Sequence, residues 1–282
     1  MLLHFKAFLA TLFFWAMLEV VAFNEIFYSE TLLVFLGFSL VVLWPLTKML
    51  RFLALPSFIG IGALSLTVLV SGLWEKQIII ALVVAAFYLS LLAAFRLMKY
   101  NCDQTAQGVL NFVTIVAMFL WFVAGFGWYL NLYYSQTLPI DVENWMLVIV
   151  IMFAGFFITL PSFLLATASC QILELKRLSR KKKNSYLEKE VNNPTFINFR
   201  PVVFLTIIVT LVVGQLTWVL SFWPFGYLTT GATLLIIYFM FWDVVRVFIQ
   251  GKLQKNRLVL NGALLIFPLI MLLFTANWHL SY

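Results

Sequence analysis

The sequence predicts an all-α fold, a polytopic integral membrane helix bundle of about nine transmembrane helices with the N-terminus inside and the C-terminus outside. Three observations carry this reading. Hydrophobic residues make up 64% of the 282 and charged residues only 10%, where a soluble domain carries roughly a quarter charged residues. A soluble chain of this length could not hide that much apolar surface, so lipid must solvate it. Apolar runs recur at the length of roughly twenty residues that a crossing helix needs. The basic residues gather at alternate ends of those runs, as the positive-inside rule requires.

Taken in order, the first span is expected from Phe5 to Phe23 and ends in a polar turn, Asn24–Glu30. Its apolar run continues through Phe23 with no Ala-x-Ala site behind it, so it reads as a retained span and not a cleaved leader. The second, Thr31 to Leu50, ends at Lys48 and Arg51. The third, Leu53 to Leu73, follows almost at once, with Pro56 in its first turn where a missing N–H costs little. Trp74–Gln77 is expected as a short turn. The fourth span, Ile78 to Leu97, closes on Arg96 and Lys99, and Tyr100–Gly108 reads as a polar loop.

The fifth span is Val109 to about Tyr133, and the loop after it carries Pro139, Asp141 and Glu143. The sixth, Trp145 to about Leu173, is long enough to tilt or to continue as helix into the cytoplasm. Pro201 opens the seventh, which ends near Phe222. The corner Trp223-Pro224-Phe225-Gly226 is of turn type. The stretch Trp218–Tyr227 has the look of a family signature, without an activity attached to it. The eighth span is Tyr227 to Ile249, and the ninth Leu258 to about Trp278.

The one long polar segment, Glu174 to Arg200, sets the orientation of the single transmembrane domain, residues 1–282. It holds eight of the eighteen Lys and Arg residues, so it is expected to be a cytoplasmic loop between spans six and seven. Alternation from there puts seventeen basic residues inside and Lys76 alone outside. A missed span would reverse every later loop. A re-entrant hairpin in place of spans seven and eight would return the C-terminus to the inside.

A net charge of +7 concentrated on one face points to anionic headgroups rather than nucleic acid. Lys181, Lys182 and Lys183 are the candidates for that contact. Other expected partners are the bilayer and further membrane protein subunits. The location expected is a plasma (bacterial inner) membrane. Cys102 and Cys170 fall at inner span ends and read as reduced thiols and apolar filler. His4 and His279 lie at opposite termini. No H-E-x-x-H, paired intramembrane aspartates, Gly-x-Ser-x-Gly or phosphate-binding Gly-rich loop occurs, so no catalytic residue, metal or cofactor is expected.

Ionisable groups at membrane depth are costly and are the default functional candidates. Glu19, about one turn from the outer end of span one, is the clearest. With Asn131, Gln215, Trp218 and Tyr129 it is a candidate outer-leaflet polar layer. The competing reading is interhelical hydrogen bonding that holds the bundle together. Asp243 and Arg246, three apart, read as an intrahelical pair. Pro45, Pro161 and Pro268 lie inside spans, either as hinges or as fixed bends. Gly60, Gly62, Gly125 and Gly127 mark surfaces for close helix approach.

Three functions fit in descending order. The first is a non-catalytic scaffold, assembly factor or complex subunit. The second is a small transporter or channel for a hydrophobic or proton-coupled solute. The third is an intramembrane lipid-modifying enzyme, which would use either the Glu19 layer or a cytoplasmic cleft ringed by Asp103, Asp243, Arg246 and the Lys-rich loop.

Overall fold

In lipid, no water satisfies backbone amides, so an apolar chain closes its hydrogen bonds within helices. The computed structural model describes residues 2–42, 50–99, 103–135, 143–182, 199–223, 225–251 and 255–275. Among these it has α-helices and no strand. They are α1 Leu2–Phe23, α2 Tyr28–Val42, α3 Leu50–Leu69, α4 Leu73–Lys99, α5 Gln104–Ser135, α6 Asn144–Lys182, α7 Phe199–Leu220, α8 Tyr227–Ile249 and α9 Lys255–Thr275. One turn of 3-10 helix, Glu25–Phe27, joins α1 to α2.

Six of these helices contain stretches long and apolar enough to cross a membrane: His4–Phe23, Leu73–Leu97, Gln104–Leu132, Asn144–Thr167, Arg200–Leu220 and Tyr227–Ile249. Shorter apolar helices run over Ala54–Leu69 and Gly262–Thr275. The chain is thus a membrane-embedded helical bundle.

Several boundaries differ from the sequence expectation, each for a local reason. Trp74–Gln77 is not a turn but the first turn of α4, and the connection is Val70–Gly72. An acidic residue in a first helical turn is favoured by the helix dipole, and Glu75 sits there. Helix α5 starts inside the expected polar loop because Asp103 Oδ1 accepts from Thr105 N at 3.0 Å and Ala106 N at 3.3 Å, as an N-cap does. Helix α3 begins at Leu50, which moves Pro56 from the first turn into the helix body. Helix α6 runs on to Lys182, into the basic stretch, which is the helical continuation that the length of the sixth span allows. At the end of α8, Gly251 takes φ 64° and its N–H donates to Phe248 O at 2.9 Å, a left-handed stop that favours glycine. The second half of span two, with Pro45, lies outside the described residues, as does Lys183.

Helix α5 is the hub and packs on α3, α4, α6 and α8. Helix α1 lies on α3 and α4, α7 on α6 and α8, and α9 at the edge on α8. Without a hydrophobic drive between helices in lipid, close van der Waals fit holds them together. Phe14, Phe35 and Phe87 bind α1, α2 and α4 into one aromatic cluster, with centroids 4.3 to 6.3 Å apart. Phe35 occupies the space a side chain on Gly60 would need. At Gly231, α8 meets the backbone of α5 itself. A Cβ there would lie 2.8 Å from Val123 Cγ2 and 3.0 Å from its Cα and N.

Connections that alternate in the chain also meet in space. Lys76 Nζ, at the start of α4, bonds Glu25 Oε1 beyond α1 at 2.9 Å. Trp128 near the end of α5 donates to Ser65 O near the end of α3 at 3.2 Å. Tyr28 at the start of α2 bonds Ser65 Oγ at 2.9 Å. These contacts put the starts of α2 and α4 and the ends of α1, α3 and α5 on one face. Threonine hydroxyls on the helices mostly turn back on their own backbone. Thr206, Thr210 and Thr217 on α7 each donate to the carbonyl four residues earlier, which hides the group from lipid.

Candidate functional site

Two features stand out. The first is a buried polar clamp on α6. Proline removes the hydrogen bond to the carbonyl four residues earlier and loosens the helix. Pro161 does so within α6 and is buried. Polar side chains on either side of it reach across to neighbours. Thr159 Oγ1 and Tyr238 OH share a hydrogen bond of 2.9 Å. Trp242 Nε1 donates to Ser162 Oγ at 3.1 Å, and Ser162 Oγ donates on to Asn111 Oδ1 at 3.3 Å. Thr159, Ser162, Tyr238 and Trp242 are buried. The weakened segment of α6 is therefore fastened to α8 above and below the proline, and to α5 below it.

Arg246 extends the same chain of contacts. Its Cζ lies 5.2 Å from the Trp242 ring centroid, within the range of a cation–π contact. Asp243 is its electrostatic neighbour on α8. Phe122 meets Tyr238 edge-on at 5.9 Å. The sequence marked Pro161 and the Asp243–Arg246 pair, but not Ser162, Tyr238 or Trp242. Hydroxyls flanking a mid-span proline were the available signal.

The second feature is an apolar slot of about 440 Å³ between α2, α3, α5 and α6. Helix α5 contributes Trp121, Ala124, Gly125, Trp128, Tyr129 and Leu132. That spacing of three and four is one helical stripe. Tyr28, Gly62 and Ser65 face it from α2 and α3, and Met146, Leu147 and Val150 from α6. The polar tips are all turned to protein. Trp121 Nε1 donates to Phe58 O at 2.8 Å, Trp128 Nε1 to Ser65 O, and Tyr129 OH to Asn144 Oδ1. Rings and methylenes are left facing the space. Gly62 and Gly125, marked in the sequence for close helix approach, line this slot and are also closely approached: a Cβ would lie 3.2 Å from Leu120 Cβ at Gly62 and 3.3 Å from Ile151 Cδ1 at Gly125.

The residues of the candidate polar layer occupy different places. Glu19 Oε1 accepts from Trp15 Nε1 of the same helix at 2.9 Å, and Oε2 accepts from Gln77 Nε2 at 3.0 Å, so one oxygen bonds within α1 and the other joins α1 to α4. Tyr129 is buried and lines the slot. Asn131, Gln215 and Trp218 are exposed on α5 and α7 and do not line it. Asp103 caps α5. Pro268 lies within α9, exposed, and Lys181 and Lys182 end α6. Among the described residues, no three His, Cys, Asp or Glu side chains come together to hold a metal ion.

Residues 190–275 match a family described as a protein of unknown function (DUF5656). No curated protein and no solved structure matches the chain. The matched stretch is under a third of the chain and takes in α7, α8 and α9. It includes the Trp218–Tyr227 corner, and of the clamp it contains Tyr238 and Trp242. The whole of the slot lies outside it. The match assigns no activity.

Proposed function

We propose that this chain is a non-catalytic, multi-span membrane module, a scaffold, assembly factor or complex subunit. Its nine helices cross with the N-terminus inside and the C-terminus outside, in a plasma (bacterial inner) membrane. One observation carries the reading: the buried polar side chains are consumed by one another or by the helix backbone. Among the described residues, Thr233 Oγ1 is the one fully buried side-chain polar atom without a hydrogen-bond partner. A pathway for ions or polar solutes needs polar groups turned toward a water-filled lumen. Here Glu19, Tyr238, Ser162 and Trp242 are turned toward each other or toward neighbouring helices. Large apolar side chains meanwhile cover the outer faces of α1 and α9, among them Phe5, Phe8, Phe267 and Phe274. In this reading those faces meet lipid or other membrane subunits. Lys181, Lys182 and Lys183 meet anionic headgroups at the cytoplasmic face in this reading, at roughly 1 kcal/mol per basic residue.

The slot favours a second reading, a carrier for a hydrophobic solute. The two separate in one experiment. Crosslinking in native membranes, followed by purification in mild detergent, is expected to retain a second membrane protein at fixed stoichiometry. The purified chain in sealed vesicles is expected to show no solute flux. Isolation of the chain alone, together with flux of an apolar solute, would replace the first reading with the second.

A further inference from the structure

We propose that the slot holds one acyl chain of a bilayer phospholipid, lying along α5 with its headgroup at the Glu143–Trp145 end. This goes beyond the scaffold reading and does not depend on the orientation of the chain.

Size comes first. An apolar cavity of about 150 Å³ stays dry and takes one benzene. A slot of about 440 Å³ therefore has room for roughly three such pieces, about eighteen carbons, by the same measure. Shape comes second. The lining stripe runs from Trp121 to Leu132 on a single face of α5. At 1.5 Å per residue it is about 16 Å long, parallel to the helix axis and so to the direction of lipid chains.

Chemistry excludes water as the occupant. A buried water needs two to four polar partners. The indole N–H groups of Trp121 and Trp128 and the hydroxyl of Tyr129 are already committed to Phe58 O, Ser65 O and Asn144 Oδ1. Access is from the side. Val150 lines the slot and is 46% exposed. It lies six residues into α6, about 9 Å along the helix, so the mouth opens at hydrocarbon depth and not to water. At the end of the slot nearest the start of α6, Trp145 Nε1 donates to a Glu143 carboxylate oxygen. A tryptophan there suits the headgroup level.

The test uses the full chain in vesicles of phosphatidylethanolamine and phosphatidylglycerol. A fraction of the phosphatidylethanolamine carries a diazirine on its acyl chain. After illumination, peptide mapping is expected to place most of the label within residues 121–132 and 146–150. Val150→Trp blocks the mouth from an exposed position and should reduce that label about ten-fold. Label on the exposed face of α9 should not change. Ile149→Trp, on the adjacent 55% exposed position outside the slot, should leave slot labelling intact. Three results would each overturn the proposal: label spread over α1 and α9 with none in the slot, equal loss in both variants, or slot labelling only by a free aromatic diazirine.

Discussion

Trp242→Ala is expected to destabilise the bundle by about 3–5 kcal/mol, as truncation of a large buried aromatic does. Trp242 is 1% exposed and sits where three contacts meet. Its ring packs on Phe239 at 5.7 Å, carries Arg246 on its face, and its N–H reaches Ser162. Truncation leaves a cavity between α8 and α6 and removes the lower fastening across Pro161. Trp242→Phe separates these causes, since it keeps a ring and loses the N–H. A cycle of Trp242→Phe with Ser162→Ala should give a coupling near 0.6 and not above about 1.7 kcal/mol, the range for hydrogen bonds between membrane helices. Unfolding in mixed micelles, followed by circular dichroism, reads both. If Trp242→Ala changed stability by less than about 0.5 kcal/mol, as substitutions at surface sites do, the clamp would have no structural role.

Gly231→Ala is the second large effect. The new Cβ would meet Val123 Cα and N at 3.0 Å. These are backbone atoms of α5 and cannot rotate away, so α8 must shift off the hub helix. The cost should reach the upper part of the roughly 1–3 kcal/mol seen for overpacking, enough to outweigh the gain of about 1 kcal/mol from alanine's helix propensity. Gly37→Ala on exposed α2 has nothing within 4 Å of its new Cβ and should be neutral or slightly stabilising. Opposite signs for the two substitutions in a thermal melt are the expected result. The same sign for both would mean that α5 and α8 are not held by backbone approach.

Much of the architecture was legible because one strong signal, apolar length, dictates helix in lipid. The span at Tyr227–Ile249 coincides with α8 to the residue, since Gly226 and Gly251 bound it chemically. Ends set by capping were less legible. Gln104–Gly108 and Trp74–Gln77 look like loop from their polarity, whereas polar side chains are also what starts a helix.

The site was harder to see, because depth along a helix is readable and rotation about it is not. Glu19, Asn131, Gln215 and Tyr129 were grouped by depth. Rotation sends Asn131 and Gln215 to the outer surface and Tyr129 into the slot. The clamp was half visible through Pro161. Its partners, Tyr238 and Trp242, are ordinary aromatic residues in a chain with ten Tyr and ten Trp, so composition gave no reason to single them out.

If successive helices cross in alternate directions, as proposed, α5 passes through the full membrane and its two ends lie on opposite sides. After Cys102 and Cys170 are replaced by Ala, single cysteines are introduced by Glu25→Cys, Gln104→Cys, Glu143→Cys, Trp223→Cys and Gln250→Cys. Each is challenged with an impermeant maleimide on sealed right-side-out vesicles. Positions 25, 143 and 223 are expected to react at once, and positions 104 and 250 only after the vesicles are opened. Reaction of 104 and 143 from the same side, or of 223 and 250 from the same side, would contradict it.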